Sequence, residues 1–285
     1  MLVSSGLLKR PKLENEITRL ILVFYAFVRE IASFKRRIRD RAPLALEGLQ
    51  GFRAEVGGKD FMLIGHGIGH GRAADAARRA FDQIPAAELV IGTGVVGALS
   101  SGLKPGDLVL SDRVLAINSD RHQQAFATDD MHLITVKRSL AMAGIEYATG
   151  AILTSHRVLA TGAEKRRAKE STGAIAVDME SAALAAEAVA RGIPFLALRA
   201  VLDEVDDEVF GAEMADEEGN VRPLAATSYL MRNPATILKL PRMMRNLSRA
   251  TDSIADALTA IAHEGNVPGS VSRARERKAG QKRPH

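Results

Sequence analysis

The sequence predicts an α/β protein: a single domain with a central mixed, largely parallel β-sheet flanked by helices. Three observations carry this expectation. Short apolar runs such as Leu20–Val28 and Phe61–Ile64 lack polar alternation, the pattern of strands buried on both faces. Alanine-rich stretches of helical length, Arg72–Ile84 and Ser181–Arg191, alternate with such runs. Glycine clusters sit between them, where a chain must turn tightly or let a ligand approach its backbone.

The elements follow in order. Residues 1–17 read as a polar leader. Leu20–Val28 is a continuous apolar run, and Arg29–Arg41 after it has helical charge spacing. Phe61–Ile64 is a strand leading into Gly65-His66-Gly67-Ile68-Gly69-His70-Gly71, which opens the helix Arg72–Ile84. Glu88–Ile91 is the next strand, and Gly92-Thr93-Gly94-Val95-Val96-Gly97 is expected to leave its end. Lys104-Pro105-Gly106-Asp107 is a turn feeding a strand. Ile175–Val177 is a strand, Ser181–Arg191 a helix stopped by Gly192, and Ile193–Val201 a strand. Ile237, Leu240, Met244, Leu247, Thr251, Ile254, Leu258 and Ile261 recur alternately three and four residues apart. They form one apolar stripe on a long helix containing Pro241, expected to pack on the sheet or on a second subunit. The domain is expected over 18–265, with 266–285 as a basic, disordered tail.

Composition narrows the function classes. The 285 residues include no cysteine, which excludes disulfides, thiolate metal sites and a cysteine nucleophile. The tail holds six basic residues against one acid and therefore carries the whole net charge of +5. A neutral body argues against a nucleic-acid groove. The longest early apolar run is too short to span a bilayer, and no signal peptide is evident. A cytoplasmic address fits, and the basic tail is suited to peripheral contact with an anionic inner-membrane surface.

The chemistry concentrates at Val177-Asp178-Met179-Glu180-Ser181, where two carboxylates enter an apolar neighbourhood. A buried charge is costly unless paired or hydrogen-bonded. Asp178 reads as structural. Glu180 is either a ligand-binding carboxylate or a helix-entry acid that answers the helix dipole. The first glycine cluster does not fit the dinucleotide fingerprint, since His70 and Arg72 stand where its last glycine would be. His66 and His70 lack a third ligand, and neither a metal nor a cofactor is expected.

"LILVFYAFVREIASF", "GHGIGH", "GTGVVGAL", "AVDMESAALA" and "GIPFLALRAVLDE" occur in the order found in the nucleoside phosphorylase and methylthioadenosine/adenosylhomocysteine nucleosidase superfamily. The resemblance spans Leu20 to Glu208. The segment after Glu208 is similar to the hopanoid-associated branch, whose members act on adenosylhopane. The resemblance implies a nucleoside phosphorylase-like α/β domain, a homodimer, and cleavage of the N-glycosidic bond of an adenine nucleoside bearing a 5′ substituent. It implies that Glu180 and Met179 face the ribose, that Asp203 is the general acid toward N7 of the purine, and that Glu30 positions the attacking water. Arg199 would belong to the same polar network. Gly94, Val95, Val96 and Gly97 would line the ribose and nucleophile site, with Gly67 also at the substrate and Val158 and Leu159 beside the base.

Water is the expected nucleophile. Phosphorolytic relatives hold phosphate with arginines, whereas Glu30, Gly92 and Val95 offer an acid and side chains that carry no positive charge. Leu202 stands where the family commonly has a serine before the acid, so a hydroxyl that would orient Asp203 is missing. Three alternatives stay open: phosphorolysis, a methylthioadenosine/adenosylhomocysteine nucleosidase activity, and a non-catalytic nucleoside-binding protein on the same fold.

Overall fold

The computed structural model describes residues 20–84, 86–117, 123–209, 235–263 and 276–277. The polar leader, and all of the basic tail except Glu276–Arg277, lie outside these residues.

Three strands that run side by side in parallel form the centre: β1 (Leu20–Tyr25), β5 (Leu89–Ala98) and β10 (Phe195–Asp203). Their apolar runs are explained by what covers each face. Leu22, Phe24, Val90, Phe195 and Ala197 point to one side, and Ile21, Val23, Leu89, Ile91, Leu196 and Leu198 to the other. The first side is covered by α2 (His70–Gln83) and α5 (Ser181–Val189), whose alanines let helix and sheet approach closely. The second is covered by α1 (Ala32–Arg37), α3 (Asp130–Met142) and α6 (Ala235–Ala262).

Beyond β1 the sheet continues through β4 (Lys59–Gly65), β3 (Gln50–Val56) and β2 (Ala42–Pro43). On the other side β9 (Ala176–Asp178), β8 (Tyr147–Thr154) and β6 (Leu108–Ile117) lead back to β10. Because β10 also pairs with β5, these strands close on themselves like a small barrel. The hairpin partner β7 (Gln123–Ala127) extends β6, α4 (Gly162–Thr172) precedes β9, and β11 (Glu276–Arg277) lies parallel to β8. The sheet is mixed, as expected.

Two sequence expectations need correction. The second glycine cluster does not leave a strand: Gly92–Gly97 lies inside β5, with Gly94 opposite Arg199 and Gly97 opposite Asp203. Ladder bonds on both sides keep it extended, and its glycines serve close approach instead. A Cβ on Gly92 would sit 3.1 Å from the Phe195 ring. The terminal stripe also divides. Thr251, Ile254, Leu258 and Ile261 are buried, but Leu240 and Leu247 are only partly covered and Met244 is 46% exposed. Ile237 lies within α6, with its side chain outside the described set. The buried half is tied to α1 by Ser33 donating to Asp252 at 2.6 Å and by the Arg37–Asp256 pair at 2.7 Å.

Gly94 has φ +136°, and a Cβ there would lie 2.4 Å from Oε1 of Glu30 and 2.8 Å from Nη1 of Arg199. Gly94→Ala is expected to lower stability by about 2–4 kcal/mol, combining a disfavoured φ with overpacking. Urea unfolding midpoints of the two proteins check this.

Candidate active site

The carboxyl ends of β1, β4, β8, β9 and β10 and the far half of β5 surround a cavity of about 160 Å³. In open α/β sheets ligands bind at such strand ends. Glu30, Val95, Val96, Gly97, Val158, Leu159, Met179, Glu180 and Asp203 all line it. Gly67, Gly94 and Arg199 do not. Gly67 turns the chain with φ +79° and donates its N–H to Ala26, while Gly94 and Arg199 lie behind the cavity wall.

Glu30 ends up there because the chain leaves β1 through a single 3-10 turn, Val28–Ile31. Its carboxylate accepts the backbone N–H groups of Ala26 at 2.8 Å, Phe27 at 3.2 Å and Val95 at 3.0 Å. Burial raises its pKa, opposed by Arg199 and by these N–H donors.

Glu180 stands at the N-cap position of α5, yet its side chain does not cap that helix. It crosses to Gly69, the residue before α2, and accepts that N–H at 2.8 Å. Burial, with Asp178 and Glu30 adding repulsion, pushes its pKa up to about 7 against the pull of Arg199 and Gly69.

Asp178 lies deeper. It accepts from Thr154 Oγ1 at 2.8 Å, from the Ser181 hydroxyl, and from Arg199, paired at 2.8 Å with both side chains 1% exposed. Arg199 also donates to Ser181 Oγ at 2.8 Å and to the Thr93 carbonyl at 2.6 Å. It does not line the cavity itself, but its partner Asp178 does.

Asp203 is the last residue of β10, and burial raises its pKa. Its carboxylate is held by Lys165, a residue that sequence reasoning missed. Nothing in "GAEKRRAKEST" distinguishes Lys165 from its exposed basic neighbours; only the packing of α4 against the end of β10 does. Phe27, Ile68 and Arg157 also line the cavity without having been foreseen. His66 is buried and donates from Nδ1 to the Gly67 carbonyl at 2.6 Å; burial lowers its pKa to about 4, so it is neutral. His70 faces His156 at 5.6 Å between ring centroids. A second cavity of about 320 Å³ shares Leu202 and Asp203 and is bounded by Lys239, Arg242, Met243 and Asn246 of α6.

Fold and site together define an α/β protein with a pocket of buried carboxylates at the strand ends. The chain belongs to the Phosphorylase superfamily, whose family model matches residues 21–229. It is 28% identical over 214 residues to a 5′-methylthioadenosine/S-adenosylhomocysteine nucleosidase of Haemophilus influenzae (strain PittEE), covering 70% of this chain and 91% of that one. The fold is similar to that of the Neisseria meningitidis 5′-methylthioadenosine/S-adenosylhomocysteine nucleosidase in complex with methylthio-immucillin-A. That likeness has a TM-score of 0.67 at 22% identity and covers 86% of this chain and 99% of the other. The futalosine hydrolase of Helicobacter pylori strain 26695 matches with a TM-score of 0.68 at 17% identity, over 87% and 99% of the two chains.

The pKa of Glu180 has a consequence for stability. A carboxyl whose folded pKa of about 7 exceeds its unfolded value favours the folded state most at low pH; that contribution is lost as pH rises through about 7. Glu180→Gln removes this dependence. The variant is expected to gain on the parent by about 2–3 kcal/mol between about pH 5 and about pH 8. Denaturant unfolding at both pH values checks it.

Proposed function

We propose that this chain hydrolyses the N-glycosidic bond of an adenine nucleoside carrying a 5′ substituent. The observation that carries the reading is that Glu30, Glu180 and Asp203 share one cavity, each in a different electrostatic setting. The nucleosidase relative from Haemophilus influenzae supports the substrate class.

Breaking this bond puts positive charge on the sugar and negative charge on the base. Glu180, with one oxygen on the Gly69 N–H, has acceptor capacity left for ribose hydroxyls. Charge developing on the sugar favours its ionised form, so the interaction strengthens in the transition state, as catalysis requires. Glu30, fixed by three N–H groups, takes a proton from water. Burial makes it a better base than an ordinary carboxylate. Asp203 protonates the leaving base at N7. Val158 and Leu159 supply an apolar wall beside that base, and Met179 packs on the ribose.

Hydrolysis is favoured over phosphorolysis because the cavity holds carboxylates where a phosphate dianion would need cations. Arg157 is the arginine among the lining residues, and it is engaged with Glu164 at 2.6 Å. The same proposal includes a lipid-linked nucleoside such as adenosylhopane as substrate. The exposed basic residues Arg245 and Arg249 beside exposed Met244 on α6 suit a peripheral, cytoplasmic encounter with an anionic membrane, while Lys239 and Arg242 are engaged with Glu208 and Asp207. The exposed Met131 and Ile134 on α3 suit a homodimer contact.

Purified protein incubated with methylthioadenosine, adenosylhomocysteine, adenosine and adenosylhopane, each with and without phosphate, is expected to release adenine without phosphate. Asp203→Asn is expected to reduce release about 10²-fold or more while the chain stays folded. Release that depends strictly on phosphate would make the protein a phosphorylase. Release by neither means would leave a binding role.

A further inference from the structure

Resting on the assignment of Asp203 as the acid, we infer that Lys165 is its positioning residue: the buried ammonium fixes one carboxyl oxygen, leaves the other for the base, and receives the carboxylate that proton transfer creates. Lys165 is 1% exposed, whereas Arg166 and Arg167 beside it on the helix are exposed and Lys169 is half-buried on Ser100. A lysine is almost never buried this deeply unless it is paired. Its Nζ donates to Oδ2 of Asp203, to the Glu204 carbonyl at 2.7 Å and to the Asp207 carbonyl at 3.0 Å. Three acceptors engage three N–H bonds, which an ammonium has and a neutral amine has not.

The surroundings are built to hold this arrangement. Gly162 opens α4 so close to the segment after β10 that a Cβ would lie 3.0 Å from the Val205 carbonyl. Val209 donates its N–H to Ala160 at 2.9 Å, closing the same contact. Asp207 accepts from the Glu204 N–H at 3.0 Å and pairs with Arg242 of α6 at 3.0 Å, which fixes the carbonyls that Lys165 uses. Leu202, the chain neighbour of Asp203, offers no hydroxyl, so orientation comes from α4.

The step balances. The C1′–N9 pair leaves with the base, the Oδ1 proton of Asp203 goes to N7, water adds its oxygen to C1′ and gives a proton to Glu30. Asp203 is left as a carboxylate paired with Lys165, and solvent restores both carboxyls. Burial and Asp207 favour the protonated acid, and Lys165 opposes them. Without Lys165 the acid would hold its proton to higher pH and give it up less readily. Glu30 and Glu180, which line the same cavity, remain in both cases.

The test is the pH profile of kcat/KM for adenine release by Lys165→Met. The expected result is an alkaline limb moved up by about one pH unit or more, with kcat lowered about tenfold and KM changed by less than about threefold. A limb in its original place, with only KM or stability altered, would reduce Lys165 to a structural role. Lys165→Gln, which keeps donors but not charge, is expected to show the same shift. Should neither variant fold, 15N-lysine NMR of the intact chain is expected to show a protected ammonium signal that Asp203→Asn displaces; an undisturbed signal would overturn the inference. Absence of base release by the parent would instead defeat the assignment of the whole site.

Discussion

The buried guanidinium of Arg199 is the interaction on which the rest of this site depends. Glu30, Asp178 and Glu180 are all nearly removed from water, and each would alone cost several kcal/mol to bury in charged form. Arg199 pairs with Asp178 directly and reaches Ser181 and the Thr93 carbonyl with its remaining donors. Its positive charge opposes the rise in pKa of both Glu30 and Glu180. It does so from the middle of β10, a strand held by β5 on one side and β6 on the other. The charge is therefore fixed by the sheet, with no loop to reorganise.

From that one fixed cation the carboxylates acquire different characters. Asp178, nearest to it, is saturated by donors and serves as scaffold. Glu180 accepts two backbone N–H groups, Gly69 at 2.8 Å and Met179 at 3.3 Å, and has a pKa near neutrality. Glu30 is clamped by backbone N–H groups from two segments. Asp203 lies beyond the reach of Arg199 and depends on a second buried cation, Lys165. Environments that push like groups apart are how a site of carboxyls separates base, acid and electrostatic roles.

Much of this was legible in the sequence. The apolar runs gave the central strands because both faces of β1, β5 and β10 are covered by helices, which removes polar alternation. That Glu30, Met179, Glu180 and Asp203 meet in one cavity was implied by the family resemblance of the motifs that carry them. Other features were not legible, for physical reasons. Gly92–Gly97 reads locally as a loop, and pairing with β10 along its length, with β1 at Gly92 and with β9 at Gly97, makes it a strand. Lys165 is chemically indistinguishable from Lys169 or Arg166 until tertiary packing buries one of them. The stripe on α6 has a constant period, but the surface it meets ends before Met244, so the same pattern is core at one end and surface at the other.

The most direct measurement is the stability of Arg199→Met beside that of Arg199→Met combined with Asp178→Asn, by denaturant unfolding at neutral pH. Leaving Asp178 buried without its cation is expected to cost about 3–5 kcal/mol, and neutralising it should recover a large part of that loss. A single variant as stable as the parent, or a pair of substitutions whose costs simply add, would contradict the account in which one guanidinium holds the carboxylates of this site in place.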